Sequence, residues 1–291
     1  MTSRAATLTG FAAVLMWSLL ALLTAASGRV PPFQLAAMTF AIGGLLGAAS
    51  WTFRRDAFSA LRQPLAVWAL GIFGLFGYHA LYFMALRLAP PAESGLINYL
   101  WPLLIVLFSA FLPGERLKAH HVAGALVGLI GTIVLVAGRA QLGVAPEFIP
   151  GYCAALVAAF VWAIYSVLSR RFKAVPTDAV VGFCLVTAVL AAICHLLFEQ
   201  TVWPETATQW LAVLALGLGP VGAAFYVWDI GMKRGDIRIL GAASYAAPVL
   251  STLCLVLAGF AAPTLSLVVA AVLIAVGGLL AAKDMLLRKK A

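Results

Sequence analysis

Charge is what this chain has least of. Of its 291 residues only 10% are Asp, Glu, Lys or Arg, and the 10 acids face 19 bases. A soluble domain of this length needs far more polar surface, so an aqueous globular fold is excluded. Cysteine is scarce too: Cys153, Cys184, Cys194 and Cys254 all fall in apolar runs without metal-ligand spacing. They read as small packing residues and say nothing about a redox compartment. Also missing are Gly-x-Ser-x-Gly, His-Glu-x-x-His and any paired carboxylate within an apolar run. Enzymes cluster nucleophiles, acids or metal ligands, so no catalytic residue, cofactor or metal is expected. His120-His121 has no cysteine or acid at ligand spacing, which leaves it outside metal chemistry as well. No Asp or Glu stands in the middle of an apolar run, so obligatory sodium coupling is not expected.

What the chain has is apolar length. Hydrophobic residues make up 64%, and runs free of charged side chains cover residues 8–27, 30–53, 63–86, 94–114, 122–138, 148–169, 179–198 and 206–228. Each approaches the ~20 residues that a membrane helix needs. A further uncharged run, 239–282, is too long for one helix and is divided by Gly259 and Pro263. The prediction is an all-α polytopic membrane protein of ten transmembrane helices. The first run ends in Thr24-Ala-Ala-Ser27, as a signal peptide does. It is long enough to span, and its repeat partner is internal, so a retained helix is expected.

The chain repeats itself. Gly95-Leu-Ile-Asn-Tyr-Leu-Trp-Pro102 returns 146 positions later as Gly241-Ala-Ala-Ser-Tyr-Ala-Ala-Pro248. At the same or a one-residue-shorter offset, Trp17 matches Trp162, Gly71 matches Gly217 and Gly131 matches Gly277. Residues 1–140 therefore read as one five-helix repeat and 141–291 as a second, within a single transmembrane domain. Five is odd, so the second copy enters from the opposite side.

Charge gives the orientation. Sixteen of the nineteen Lys and Arg fall in alternate connections: Arg4; Arg54, Arg55, Arg62; Arg116, Lys118; Arg170, Arg171, Lys173; Lys233, Arg234, Arg238; and Lys283, Arg288, Lys289, Lys290. The other connections hold only Arg29, Arg87 and Arg139. The positive-inside rule then places both termini in the cytoplasm. It also accounts for the basic balance without a nucleic-acid partner.

A proline inside a membrane helix removes a backbone hydrogen bond and clashes with the preceding turn. Lipid tolerates that defect only beside protein or a water-filled cavity. Matched breaks in matched halves point to a transporter's central site. The expected hinges are Gly95, Pro102, Gly241 and Pro248. The expected substrate-binding residues are Trp17, Tyr78, His79, Tyr82, Asn98, Tyr99, Trp101, Trp162, Ser244 and Tyr245. Buried tyrosines need a hydroxyl partner, and aromatic rings are enriched in small-molecule sites. His79 is also the one midspan group able to titrate near neutral pH. Trp68 and Trp228 are assigned to interfacial belts. Asp229 and Lys233 read as an i,i+4 ion pair at the membrane interface, and His195 and Glu199 as a similar pair near the outer face. Gly124-x-x-x-Gly128 and Gly71, Gly74 and Gly77 read as contacts between helices of one chain, which is expected to be a monomer.

Ten spans in two inverted halves, with Gly-x3-Tyr-x2-Pro at the fourth and ninth helices, resemble the drug/metabolite transporter superfamily. The EamA-type branch is similar over nearly the whole chain. Pro113-Gly-Glu115-Arg resembles its recurring Gly-Glu element, while Ala261 departs from it in the second copy. Within that branch the aromatic interior looks like that of bacterial aromatic amino acid exporters. The resemblance implies a carrier in the lipid bilayer of the bacterial inner membrane. It would export small amphipathic molecules, foremost Phe, Tyr and Trp and also flat xenobiotics, by alternating access at a cavity between the repeats. Other small metabolites, such as non-aromatic amino acids, nucleobases or drugs, stand as the alternative cargo, ahead of a channel or a membrane enzyme.

Overall fold

The computed structural model describes residues 1–114, 116–137, 146–259 and 262–283. Glu115, Arg139, Ala261, Arg288, Lys289 and Lys290 lie outside them, as does the side chain of Glu93. All regular structure among the described residues is helical. In chain order the apolar helical segments are α1 (Ser3–Ala26), α2 (Pro32–Phe53), α3 (Leu65–Leu88), α4 (Ser94–Phe111) and α5 (Ala119–Leu135). They continue as α6 (Pro146–Phe172), α7 (Ala179–Phe198), α8 (Ala207–Arg234), α9 (Ile237–Leu257) and α10 (Leu265–Ala281). Eight are long and apolar enough to cross a membrane, and α5 and α10 are shorter. The long uncharged run breaks after α9 at Gly259, whose φ of 78° suits a residue without Cβ. Leu45, Val189, Leu211 and Val268 lie exposed along the helices, the apolar exterior of a multi-pass membrane protein.

Four segments depart from a straight α-helix, and the local chemistry says why. Pro102 and Pro248 cannot donate to the residue four before them, Asn98 or Ser244. The α-helical ladder accordingly stops at Asn98 and resumes at Trp101 in α4, and it stops at Ala243 and resumes at Ala246 in α9. In α3 and α8 a five-residue π-turn interrupts the helix, at Phe73–Gly77 and Gly219–Ala223. These two turns stand 146 residues apart, the repeat offset. Such turns shift the register of the side chains that follow. A fifth break, in α1, has no proline: Ser18 Oγ donates to the Leu15 carbonyl at 2.6 Å, and the helix is interrupted before Leu20. The matching stretch of α6 runs unbroken from Ile149 to Ser169.

Close crossings hold the bundle. A Cβ on Gly43 of α2 would lie 2.7 Å from Gly222 Cα in the π-turn of α8. One on Gly124 of α5 would lie 2.5 Å from the Gly277 carbonyl oxygen of α10. The two broken helices also cross each other, with Gly241 against the carbonyl of Pro102.

The two ends of the bundle differ. At one, Glu199 caps α2, accepting from the Phe33 and Gln34 N–H groups at 3.0 Å each, where the helix dipole favours an anion. Arg87 reaches the same carboxylate at 2.6 Å and His195 at 3.0 Å. The expected His195–Glu199 pair is thus one part of a larger buried knot. At the other end the bases gather. Arg54 pairs with Asp178 at 2.9 Å, and Arg170 donates to the Met232 and Gly235 carbonyls. Arg238 bridges Asp236 and the Arg116 carbonyl, and the Asp236 N–H donates to Thr7 Oγ1 at 2.8 Å.

Candidate substrate cavity

Segments α1, α3, α4, α6, α8 and α9 leave between them a cavity of about 120 Å³. Eight of the ten residues expected from the sequence line it: Trp17, Tyr78, His79, Tyr82, Asn98, Tyr99, Trp101 and Trp162. Leu20, Pro220, Val221, Phe225 and Ala247 complete the wall. Among the described residues, no Lys, Arg, Asp or Glu is on that wall. Among the described residues no cluster of His, Cys, Asp and Glu could hold a metal ion.

The helix irregularities aim these groups. Tyr78, His79 and Tyr82 follow directly on the π-turn of α3. His79 Nδ1 lies 2.6 Å from the Leu75 carbonyl within that turn. A carbonyl only accepts, so Nδ1 carries the proton and Nε2 of the neutral ring is an acceptor. Asn98, where the first part of α4 ends, donates from Nδ2 to the Tyr78 hydroxyl at 2.9 Å. Its Oδ1 is buried and has no hydrogen-bond partner among the described residues. Trp17 joins the two halves by donating from Nε1 to the Pro220 carbonyl of the α8 π-turn at 3.0 Å.

Four tryptophans make the floor. Trp228 sits 5.0 Å from Trp17, 5.9 Å from Trp101 and 6.3 Å from Trp162, centroid to centroid. Edge-on and offset ring pairs of this kind satisfy the quadrupoles. The assignment of Trp228 to an interfacial belt is corrected by this geometry. The residue is 1% exposed, and its indole N–H donates to Ser166 Oγ at 3.1 Å rather than to water. Trp68 rests edge-on against Phe183 at 5.4 Å. Phe225 adds a stacked pair with Phe40, centroids 5.4 Å apart.

Beneath the floor, Asp229 and Lys233 do pair, at 2.9 Å, and both are covered by protein: their side chains are 3% and 6% exposed. The connection between α6 and α7 covers them. Thr177 Oγ1 donates to Asp229 Oδ2 at 2.8 Å, and Lys233 Nζ donates to the Val175 carbonyl at 3.0 Å.

Ser244 and Tyr245 fall outside the cavity. Ser244 is fully buried and donates to the Leu240 carbonyl at 2.7 Å. Tyr245 turns away into the smaller core of α5, α9 and α10, its ring against Gly128. At the break in α9 it is Ala247, the repeat mate of Trp101, that reaches the wall. Phe225 and Trp228 were missed, although the repeat offset carries a signal for them. Adding 146 to His79 and Tyr82 gives Phe225 and Trp228.

Comparison with known proteins agrees with this architecture. A model of the EamA-like transporter family matches residues 4–137 and again 149–282. The aromatic amino acid exporter YddG of Ancylobacter novellus is 64% identical over 279 residues, 96% of each chain. The protein of the same name from Salmonella typhimurium is 29% identical over 296 residues, covering 96% of this chain and 97% of that one. A crystal structure 62% identical in sequence superposes with a TM-score of 0.94, over 99% of this chain and all of the other. The relatives' names describe exporters rather than enzymes, and this chain is a membrane transporter that belongs to the EamA-like family.

Proposed function

We propose that this protein exports aromatic amino acids across the bacterial inner membrane, by alternating access at the cavity between two inverted five-helix repeats, residues 1–140 and 141–291. The observation that carries this reading is the cavity wall. Aromatic rings from both halves surround a space with no charged side chain, and Tyr78, His79 and Asn98 form one polar flank. Rings stack on rings at about 0.5–1.5 kcal/mol beyond burial, so a benzyl or indolyl side chain is the favoured occupant. The relatives named as aromatic amino acid exporters support the same cargo.

The repeat reading is supported by the family model matching once in each half and by the π-turns at equivalent places. The sixteen clustered bases support cytoplasmic placement of both termini. With that orientation, the tryptophan floor and the Asp229–Lys233 pair stand between the cavity and the cytoplasm, and the conformation is open outward. Breaks flanked by Gly95 and Pro102, and by Gly241 and Pro248, supply the hinges. Among the described residues no acid lines the wall, which supports movement of substrate down its own gradient. The carrier works as a monomer in the bilayer and needs no cofactor.

Counterflow in liposomes tests the function. Vesicles loaded with unlabelled phenylalanine should accumulate labelled Phe, Tyr and Trp transiently and saturably, and Tyr99→Ala should slow this several-fold at unchanged expression. Absence of saturable counterflow would rule out a carrier. Uphill accumulation under an imposed proton or sodium gradient would show coupling instead. For topology, in a background with all four cysteines replaced, Gln200→Cys should react with an impermeant thiol reagent from outside. Labelling of Ser59→Cys from that side would reverse the orientation.

A further inference from the structure

The basic end of the bundle carries a second hollow, of about 520 Å³, that transport through the aromatic cavity leaves unused. Leu112 and Gly114 after α4, Arg170, Arg171 and Lys173 at the end of α6, and Lys233 of α8 line it. Among the described residues, no Asp or Glu stands on its wall. Two of the four bases are already engaged, Lys233 by Asp229 and Arg170 by the Met232 and Gly235 carbonyls. Arg171 and Lys173 are exposed and make no hydrogen bond or ion pair with any described residue. An apolar groove of about 260 Å³ adjoins the hollow, and Leu112 and Arg171 belong to both walls. The rest of the groove is Phe108 and Phe111 on one side and Ile164, Val167 and Leu168 of α6 on the other. It opens onto the apolar exterior. Phe111 is 75% exposed, and Phe160, itself exposed, lies 5.9 Å from the Phe108 ring. Exposed Leu107 and Val157 carry the same apolar surface further along α4 and α6.

A water-soluble anion would use only the hollow, and a neutral lipid only the groove. An anionic phospholipid uses both. Its phosphate oxygens accept two parallel N–H bonds from the planar guanidinium of Arg171, with the Lys173 ammonium as a second point charge. Its acyl chain covers the exposed phenyl rings. Basic pockets between membrane helices favour such headgroups, and nearby bases add attraction to an anionic leaflet. We infer that the hollow and groove together bind one anionic phospholipid of the bilayer, with its phosphate on Arg171 and Lys173 and one acyl chain between α4 and α6. The site stands apart from the aromatic cavity and is indifferent to the cargo. The lipid bridges the two stretches that the family model matches separately, since α4 belongs to the first and α6 to the second.

The test is native mass spectrometry of the full chain released from detergent. The probes are dioleoylphosphatidylglycerol, dioleoylphosphatidylcholine and glycerol 3-phosphate. Phosphatidylglycerol should bind about tenfold more tightly than phosphatidylcholine, whose choline cation faces the two bases. Glycerol 3-phosphate, which has the anion and no chain, should fail to displace it even in large excess. Arg171→Gln with Lys173→Gln should weaken phosphatidylglycerol about tenfold, the scale of lost hydrogen bonds to a charged group, and change phosphatidylcholine little. Arg4→Gln with Arg62→Gln removes the same charge from two other exposed bases and should change neither. Phe111→Ala should weaken both lipids a few-fold and keep the preference for the anion. If the first double variant does not fold, Arg171→Gln alone reads the same loss. Equal weakening by the two double variants overturns the inference in favour of a general basic surface. Displacement by glycerol 3-phosphate at the lipid's own affinity overturns it in favour of a soluble anion, and displacement by phenylalanine in favour of a cargo route. Failure of the counterflow assay would remove the export reading and leave this site standing.

Discussion

Lys233→Met is expected to be among the most costly single substitutions in the molecule. It removes the 2.9 Å bond to Asp229 and the 3.0 Å bond to the Val175 carbonyl. What remains is a carboxylate 3% exposed whose nearest donor is the Thr177 hydroxyl. Orphaning a buried charge in this way costs about 3–5 kcal/mol, a large part of a typical total stability of about 5–15 kcal/mol. Asp229→Leu strands the ammonium and should cost a comparable amount. The double substitution leaves no charge behind and fills the same volume with apolar atoms, so it should recover most of the loss and may be written as a cycle with about 3 kcal/mol or more of coupling. Unfolding in detergent, followed by tryptophan fluorescence, reads all four proteins, because the floor tryptophans sit directly above the pair. Additive losses, with the double variant the least stable of the four, would refute the reasoning. That result would mean the two charges are solvated independently and the connection over them is open.

Two further outcomes bear on the basic end and on the helix crossings. Asp236 caps the second helix of its turn, accepting from the Arg238 and Ile239 N–H groups. Burial pushes its carboxyl up, but hydrogen bonds and charge from Arg238, with those backbone N–H groups, outweigh this and hold it below its ordinary value. A depressed carboxylate stabilises above its unfolded pKa of about 3.9 and loses that contribution as pH falls through the folded value. Asp236→Ala should therefore cost about 0.5–2 kcal/mol at neutral pH, and the gap from the parent should narrow as pH falls below the unfolded value of about 3.9; a gap that widens in acid would count against this account. Gly43→Val should lower stability by about 1–3 kcal/mol by forcing α2 off α8, while Gly77→Ala, whose Cβ would find nothing nearer than 3.9 Å, should be tolerated. Equal thermal stabilities for the two would contradict the close crossing.

The membrane segments were legible because the bilayer penalises charge so strongly. The first uncharged run maps onto α1 and the last divides at Gly259, with little left for tertiary context to decide. Pro102 and Pro248 likewise announce the breaks in α4 and α9, since a missing N–H is a local fact. The cavity was legible where an aromatic or polar residue stood midway along a helix, as Tyr78, Asn98 and Trp162 do. Trp228 was not, because it adjoins Asp229 and looked like a helix end meeting water. What surrounds it is Trp17, Trp101, Trp162 and Ser166, from helices far away in the chain, and no local pattern reports that packing. Tyr245 failed for the opposite reason. The repeat equates it with Tyr99, but its surroundings are set by Gly128 of another helix, which leaves room for the ring on the far side.

The tryptophan floor has a consequence for how affinity divides between the two faces of the membrane. In the alternating-access cycle proposed above, a ligand arriving from the closed side would meet the cavity only in the fraction of molecules whose floor has parted, and its apparent dissociation constant would be the intrinsic one divided by that fraction. An open fraction of about 1% makes the same cavity look about a hundredfold weaker from that side. Conservative substitutions at Trp228, which is not on the cavity wall, would then behave as affinity variants on one face and leave the other nearly untouched. They redistribute a population and alter no binding contact. In that proposed cycle the resting distribution of substrate across the membrane would be unaffected, because both faces would open onto one set of rings. The lock beneath the rings sets only how saturation and rate are shared between loading and release.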